Sequence, residues 1–301
     1  MEDQKTTVLN LTDEEFVYPG NRACPGCGLS ILYRTGLKAI GRDAILVVPP
    51  SCLTVMQGLY PITATQLSVL NVTFASTAAA ASGVKAALRA QGNEHTRVVA
   101  WAGDGGTADI GIQALSGAIE RGEDFLYICY DNEAYMNTGI QRSGTTPRGT
   151  VTANTSIHGK RERSKDVPSI IAAHSPAYVA TCSASYPIDF YDKIKKALGL
   201  KGLKYIHIHT PCPSGWGIEE HRTIAIGKLA VETGLFVLYE IEDGEMKLSQ
   251  PSAKLLRKSR LTPVADYLQA QRRFKALGAE AIEKLQQEVD AKWDAYRSQM
   301  I

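Results

Sequence analysis

Short apolar runs alternate with helical periodicities along the first two thirds of this chain. The apolar runs have the length and the Val, Ile and Tyr content of buried parallel strands. They span residues 44–48, 97–102, 125–130, 178–184 and 205–209. Apolar residues at helical spacing lie between them, at residues 30–40, 75–90, 108–120, 167–174 and 187–198. The alternation predicts an α/β fold with a doubly wound, mainly parallel sheet of about five or six strands.

The regular alternation of strand and helix patterns ends after residue 221. A helix to Glu232 precedes apolar runs at 235–241 and 245–249, which flank Glu242-Asp243-Gly244 and predict a β-hairpin. Helical patterns then continue from Pro263 to Ile301. We therefore predict a main α/β domain over residues 1–221, beginning with an extended arm at residues 1–21. A helical and hairpin extension over residues 222–301 is expected to pack on that domain and to serve assembly.

Composition indicates an ordinary globular chain. The 301 residues are 44% hydrophobic and 21% charged, which is enough to bury a substantial core. A formal charge of +2 is too small to indicate a nucleic-acid partner. No apolar run approaches the roughly 18 residues of a membrane span. The polar, acidic first 22 residues argue against export, so we expect a cytoplasmic protein whose six cysteines are reduced or metal-bound.

One strand-helix-strand unit contains the most distinctive polar residues. Its first strand ends at Gly103-Asp104-Gly105 and its second ends at Asp131-Asn132. Parallel strands joined by a right-handed crossover end at the same sheet edge, so Asp104 and Asn132 are predicted to converge on one ligand. A carboxylate, an amide oxygen and a nearby backbone carbonyl suit Mg²⁺, and glycines allow close approach to phosphates. Gly-Asp-Gly alone also fits a structural turn, and the glycine spacing does not fit a dinucleotide-binding motif.

The cysteines predict a second site. Cys24-Pro25-Gly26-Cys27 is a metal-ligand turn, because two thiolates two residues apart can bind one metal centre. Cys52 and Cys212 are the candidates for two further ligands, since each follows a predicted strand and lies outside regular elements. The third and fourth thiols are single and distant, which favours an iron-sulfur cluster over a zinc ribbon with its second Cys-x-x-Cys, although the pattern alone leaves zinc open.

The other two cysteines and the strand histidines are expected to be packing residues. Cys129 and Cys182 lie inside apolar strand runs, where cysteine usually behaves as a small hydrophobic residue. His207 and His209 share one strand face, but buried histidines before a ligand loop are more often packed than metal-bound.

The full motif resembles the thiamine diphosphate motif in the version found in 2-oxoacid:ferredoxin oxidoreductases. The stretch that follows Gly103-Asp104-Gly105 at the expected distance reads Asp131-Asn132-Glu133-Ala134-Tyr135-Met136-Asn137-Thr138-Gly139. Nearly the whole chain is similar to the β subunit of the pyruvate-type enzymes. The resemblance implies that Asp104, Asn132 and the Ala134 carbonyl bind Mg²⁺, and that Asn137 contacts the diphosphate. Further cofactor contacts are expected from Cys52, Gly103, Gly105 and Thr138.

The same resemblance assigns four cysteines to one [4Fe-4S] cluster: Cys24, Cys27, Cys52 and Cys212. It also implies oxidative decarboxylation of a 2-oxoacid, with pyruvate as the expected substrate, coenzyme A as acyl acceptor and ferredoxin as electron acceptor. An α subunit and other subunits are the expected partners. The cofactor-activating glutamate is expected on a partner, because Glu120, Glu123 and Glu133 surround the diphosphate half of the motif.

Three alternatives stay open. The same machinery could act on another 2-oxoacid or on oxalate. The chain could be a subunit of a non-redox thiamine diphosphate decarboxylase with a structural metal site, or a zinc-ribbon module on an α/β scaffold. The long loop from Arg142 to Asp166 ends in a basic stretch at residues 159–166, which could dock an acidic ferredoxin or another subunit. A solvated turn is the simpler interpretation of that stretch.

Overall fold

A computed structural model of the chain describes residues 6–300, with side chains for residues 6–298. Residues 1–5 of the predicted arm and the terminal Ile301 of the predicted last helix lie outside the described residues. Eight strands in the described range form one sheet. They are β1 (Ala44–Val48), β2 (Ser68–Asn71), β3 (Arg97–Gly103), β4 (Leu126–Asp131), β5 (Tyr178–Ser183), β6 (Lys204–His209), β7 (Tyr239–Glu242) and β8 (Glu245–Leu248).

The α-helices of the described range surround this sheet. They are α1 (Gly28–Ile40), α2 (Cys52–Gln57), α3 (Thr77–Ala90), α4 (Ile112–Glu120), α5 (Val167–Ala172), α6 (Pro187–Gly199), α7 (Pro213–Trp216), α8 (Thr223–Glu232), α9 (Gln250–Ala253), α10 (Val264–Gln269) and α11 (Ala279–Met300). A π-helical turn, Gly105–Asp109, directly follows β3.

The sheet order is β2-β1-β3-β4-β6-β5-β7-β8. The first six strands are parallel, and β7 and β8 continue the sheet in antiparallel pairing. The doubly wound, mainly parallel α/β fold predicted from the sequence is confirmed. The six parallel strands match the expected five or six, although β2, a four-residue edge strand without an apolar run, was not among the predicted runs. The sheet has eight strands because the hairpin β7–β8 joins it.

Three local predictions need correction. Cys52 does not lie outside regular elements, because it is the first residue of α2. The helix expected from Ala108 begins only at Ile112, since the π-helical turn intervenes. The helix expected to reach His174 ends at Ala172, just before Ser175, whose φ of 53° is in the left-handed region.

Helices cover both faces of the sheet. On one face α1 and α6 pack around the fully buried Trp101 of β3, whose ring lies 5.3 Å from that of Tyr33 and 6.4 Å from that of Phe190. On the other face α3, α4 and α5 bury small and aliphatic side chains against Tyr127 and Tyr205. Two separate apolar layers therefore hold the sheet in place, as the alternating sequence pattern requires.

Residues of the range 222–298, together with Trp216, form a third apolar cluster beside the sheet, with Tyr267 and Trp293 among its largest members. The hairpin β7–β8 connects this region to the main domain through the pairing of Val179 with Ile241. The boundary at residue 221 and the role of the extension in assembly remain predictions. Within residues 6–300 no helix combines the length and the apolar character needed to cross a membrane.

The close packing of α1 against β3 predicts that one methyl group added at Gly36 lowers the stability of the fold. A Cβ added at Gly36 would lie 2.7 Å from Trp101 Cη2 and 3.2 Å from Phe190 Cε1. Gly36→Ala should therefore lower the free energy of unfolding by about 1–3 kcal/mol through overpacking. Gly83→Ala in α3 is the matched control, because a Cβ there meets nothing within 4 Å. The control should raise stability by about 0.5–1 kcal/mol. Equal effects of the two changes in chemical denaturation would contradict this packing.

Candidate active site

The residues singled out by the sequence lie together at one edge of the sheet. The parallel strands β1, β3, β4 and β6 are consecutive neighbours, so their carboxyl ends are side by side. The segments that follow these strands contain Cys52, Asp104, Asn132 and Cys212. The helix α1 precedes β1 and runs back along the sheet, which places the Cys24–Cys27 turn at the same edge.

An open cleft of about 220 Å³ lies at this edge. The structure brings every residue expected to contact a cofactor into its lining: Cys52, Gly103, Asp104, Gly105, Asn132, Asn137 and Thr138, together with Ala134. Phe74 and Tyr135 form part of the same wall, with ring centroids 6.0 Å apart. Gly105 lies so close to Tyr135 that an added Cβ would fall 2.5 Å from the ring. The glycines of the turn therefore keep this wall close to the strand ends.

Oxygen atoms converge at the base of the cleft. One polar atom of the Asn132 carboxamide lies 2.9 Å from the Ala134 carbonyl oxygen and 3.2 Å from Asp104 Oδ1. With nitrogen in this position the amide donates a hydrogen bond to both oxygens. With oxygen there, three oxygens face one another and require a cation between them. Adjacent ligands of an octahedral Mg²⁺ are roughly 2.9 Å apart, given metal–oxygen bonds of about 2.0–2.1 Å. The spacing matches that geometry.

Asp104 is a buried carboxylate with 1% of its surface exposed. Burial raises its pKa well above the usual range, and the nearby Asp131 raises it further. Thr145 Oγ1 hydrogen-bonds to both carboxylates, at 3.1 Å to Asp104 Oδ2 and 2.8 Å to Asp131 Oδ1. Across residues 6–298 no Lys, Arg or His forms an ion pair with Asp104. This carboxylate therefore lacks the positive partner that a buried charge requires.

Asp131, unlike Asp104, has a partner of opposite charge within this chain, which is His207. His207 Nε2 lies 3.0 Å from Asp131 Oδ2, and Tyr205 Oη lies 2.8 Å from His207 Nδ1. Burial opposes the charging of both groups, yet the hydrogen bond to His207 lowers the pKa of Asp131, and Cys129 together with Asp131 raises that of His207 to about 10. His207 is buried and packed against Phe236, as predicted, and it is in addition the ion-pair partner of Asp131, which the sequence did not indicate. His209, between the rings of Trp216, Phe236 and Tyr267, is the packing residue that was expected.

Cys52 lies close to the other three thiols that the resemblance assigns to the same metal centre. Burial, together with the nearby Cys212, Cys27 and Cys24, raises the pKa of Cys52 to about 12. Burial also raises the pKa of Cys212 to about 11. The turn between Cys24 and Cys27 is closed by a hydrogen bond from Cys27 N to Cys24 O at 3.1 Å. Gly26, with a φ of 69°, lies directly against the backbone of Glu220, and no larger residue could take this position.

Within the described part of the chain, no three His, Cys, Asp or Glu side chains gather closely enough to bind one metal ion. Cys129 and Cys182 lie in β4 and β5 with no exposed surface, which confirms their prediction as core residues.

The loop between β4 and α5 is part of the site. Besides Thr145, it contributes Gly144 N and Lys165 Nζ, which donate to the Asp109 carboxylate at 2.9 and 2.6 Å. Asp109 also accepts from the hydroxyl of Tyr135 at 3.0 Å and thereby fixes one wall of the cleft. Lys160 is 2% exposed and donates to three backbone carbonyls of the loop. The simpler interpretation of the basic stretch as solvated is therefore wrong for Lys160.

Comparison with known proteins agrees with this geometry. Residues 51–208 match the family of the thiamine pyrophosphate enzyme, C-terminal TPP binding domain. A solved 2-oxoglutarate:ferredoxin oxidoreductase from Magnetococcus marinus has a similar fold, with a TM-score of 0.58 over 68% of this chain and 70% of that one, at 22% identity. The fold and the matched domain define a thiamine-diphosphate-binding enzyme.

Curated relatives narrow the class. The pyruvate synthase subunit PorB of Methanothermobacter marburgensis is 49% identical over 94% of this chain and 98% of its own length. The ketoisovalerate oxidoreductase subunit VorB of Pyrococcus abyssi is 46% identical over 95% of this chain and 94% of its own. The chain belongs to the β subunits of the thiamine-diphosphate-dependent 2-oxoacid:ferredoxin oxidoreductases, as its motif had indicated.

The two histidines of β6 provide a test of the electrostatics. His207→Phe should lower the free energy of unfolding by about 3–5 kcal/mol, because it leaves Asp131 buried without its cation. His209→Phe, two residues away on the same strand face, removes only a neutral hydrogen bond of 3.1 Å to Tyr267. That control should cost about 1 kcal/mol. Urea denaturation of both variants is the measurement, and similar costs would show that His207 is not the counter-charge of Asp131.

Proposed function

We propose that this chain binds thiamine diphosphate through Mg²⁺ and passes the electrons of 2-oxoacid decarboxylation to a [4Fe-4S] cluster that it also binds. The observation on which the proposal depends is the buried Asp104 carboxylate, which forms no ion pair within the described residues and faces the Asn132 amide and the Ala134 carbonyl. In this proposal Asp104, Asn132 and Ala134 are the protein ligands of Mg²⁺. The ion supplies the missing positive charge and links the protein to the diphosphate.

The remaining residues of the cleft have distinct roles in the proposal. Gly103 and Gly105 allow the backbone to approach the diphosphate closely. Asn137 and Thr138 border the cleft and offer polar side chains to the cofactor. Tyr135, held by Asp109, and Phe74 form an apolar wall that limits access of water. When bound, thiamine diphosphate supplies the electron sink for decarboxylation, and these residues bind and orient it.

The cluster assignment is supported by the arrangement of the thiols. The thiols of Cys212, Cys27 and Cys24 all contribute to the raised pKa of Cys52, so the four cysteines are near one another. A cubane would take its four thiolate ligands from such a group. Cys52 also lines the cleft, so the cluster would lie beside the cofactor. This proximity supports direct electron transfer between the two sites.

The activating glutamate is proposed to come from a partner subunit. Among the residues that the structure describes, the lining of the cleft includes no glutamate. Glu133 points away and forms an ion pair with Arg273 Nη1 at 2.5 Å. Glu123 is paired with Arg121 beyond the far end of α4. An α subunit that closes the open cleft would supply the missing group, since general acid–base catalysis requires contact with the cofactor.

Pyruvate is the proposed substrate, with coenzyme A as acyl acceptor and ferredoxin as electron acceptor in the cytoplasm. The similarity to pyruvate synthase subunits supports this choice. A branched 2-oxoacid is the second candidate, because ketoisovalerate oxidoreductase subunits are nearly as similar.

The metal site is tested by Asp104→Ala in the enzyme assembled with its partner subunits. Loss of a carboxylate ligand should weaken thiamine diphosphate binding in the presence of Mg²⁺ by at least about 100-fold, while the fold survives at the sheet edge. Isothermal titration calorimetry measures the affinity. Asp192→Ala on the exposed face of α6 is the control and should bind like the wild type. Unchanged affinity of Asp104→Ala would remove this residue from the metal site.

The cluster is tested by six single cysteine-to-alanine variants, with iron content and EPR as readouts. Changes at Cys24, Cys27, Cys52 or Cys212 should each reduce or abolish the cluster, because a cubane requires its thiolate ligands. Variants at Cys129 and Cys182 control for the loss of a thiol and should keep the cluster with only a packing cost. A cluster that survives Cys52→Ala but not Cys129→Ala would contradict the assignment.

A further inference from the structure

Arg273 of the C-terminal extension is a buried cation next to the proposed metal site. It is 4% exposed and lies directly after Arg272, which is exposed to solvent. Its Nη1 pairs with Glu133 at 2.5 Å, and its Nη2 donates to the hydroxyl of Tyr267 at 3.2 Å. Its Nε donates to Gln271 Oε1 at 2.9 Å. All three nitrogens of the guanidinium group are therefore engaged by groups buried at the side of the cleft.

The ion pair with Glu133 holds the turn between two of the proposed metal ligands. Glu133 lies between Asn132 and Ala134 and has a φ of 64°, which is in the left-handed region. A residue with a side chain adopts that conformation at a cost, so the surroundings must hold it in place. The backbone of Glu133 is fixed on both sides, since its N–H donates to Asp131 at 2.8 Å and its carbonyl accepts from Thr146 at 2.6 Å. Arg273 fixes the side chain.

A second contact connects Arg273 to the same turn through Trp216. The guanidinium carbon lies over the Trp216 ring, 3.6 Å from its centroid, in a cation–π contact. The indole Nε1 of Trp216 in turn donates to the Asn132 carbonyl at 2.9 Å. Trp216 ends α7, the short helix that begins directly after Cys212. One side chain therefore contacts the turn with the metal ligands and the segment that follows a cluster cysteine.

We propose that Arg273 is a positioning residue that holds the turn Asn132–Ala134 in its ligand geometry, through Glu133 on one side and Trp216 on the other. This inference rests on the proposed function, since it requires that the turn binds Mg²⁺ and diphosphate. It gives the C-terminal extension a role at the cofactor site in addition to assembly. A planar, permanently charged group is needed, because only arginine combines an ion pair with flat stacking on an indole.

The experiment uses the assembled enzyme and measures the affinity for thiamine diphosphate at saturating Mg²⁺ by calorimetry. Trp216→Phe keeps a buried ring and removes the N–H bond to the Asn132 carbonyl. Its matched control is Trp293→Phe, which removes an equivalent buried N–H bond of 3.1 Å to the Gly234 carbonyl, away from the cleft. Arg273→Gln removes the cation, and Arg272→Gln is its exposed control. Thermal unfolding of each apo variant separates a stability effect from an affinity effect.

Trp216→Phe and Arg273→Gln should each bind the cofactor at least about tenfold more weakly, the usual effect of losing a residue that orients a metal ligand. Trp293→Phe and Arg272→Gln should stay within about twofold of the wild type, even where Trp293→Phe lowers the unfolding temperature. If the Arg273→Gln enzyme does not assemble, the inference is tested by the affinity of Trp216→Phe for thiamine diphosphate alone. Wild-type affinity in Trp216→Phe, or an equal loss in Trp293→Phe, would overturn the inference. A wild-type enzyme without affinity for thiamine diphosphate would refute the proposed function itself.

Discussion

A buried carboxylate that has no cationic partner among residues 6–298 is the constraint on which the site depends. Asp104 and Asp131 lie at the ends of adjacent parallel strands and share one hydroxyl donor, Thr145. Two buried negative charges at this distance cannot both remain uncompensated. The chain neutralises Asp131 through His207 and leaves Asp104 open toward the cleft. A divalent cation is the natural complement of such a carboxylate when an amide oxygen and a carbonyl face the same point.

The topology of the sheet explains why two sites share one edge. Strands β1, β3, β4 and β6 are parallel neighbours, and the loops that follow them provide Cys52, Asp104, Asn132 and Cys212. The first turn of α1 brings the Cys24–Cys27 pair to the same edge. The proposed redox centre would thus lie beside the proposed cofactor site as a consequence of strand order. In the same proposal, the open side of the cleft is where a partner subunit would bind.

The sequence was sufficient to predict the parts of the site that depend on local pattern. Asp104 and Asn132 follow apolar runs of parallel-strand type, so their convergence could be predicted without a structure. The role of His207 could not, because β6 pairs with β4 out of sequence order and the alternation of histidine with isoleucine also fits packing. Arg273 is separated from Glu133 by 140 residues, and no local pattern indicates their contact. The edge strand β2 was missed because it has no apolar run.

The central claim is that the two sites of this chain act together, and anaerobic absorbance spectroscopy tests it most directly. The assembled enzyme, supplied with Mg²⁺ and thiamine diphosphate, should contain about four iron atoms per copy of this chain and show the visible absorbance of a thiolate-bound cluster. Addition of pyruvate should bleach that absorbance, and omission of thiamine diphosphate should prevent the bleaching. A colourless protein that contains zinc, or a cluster that neither pyruvate nor a branched 2-oxoacid reduces, would contradict the account.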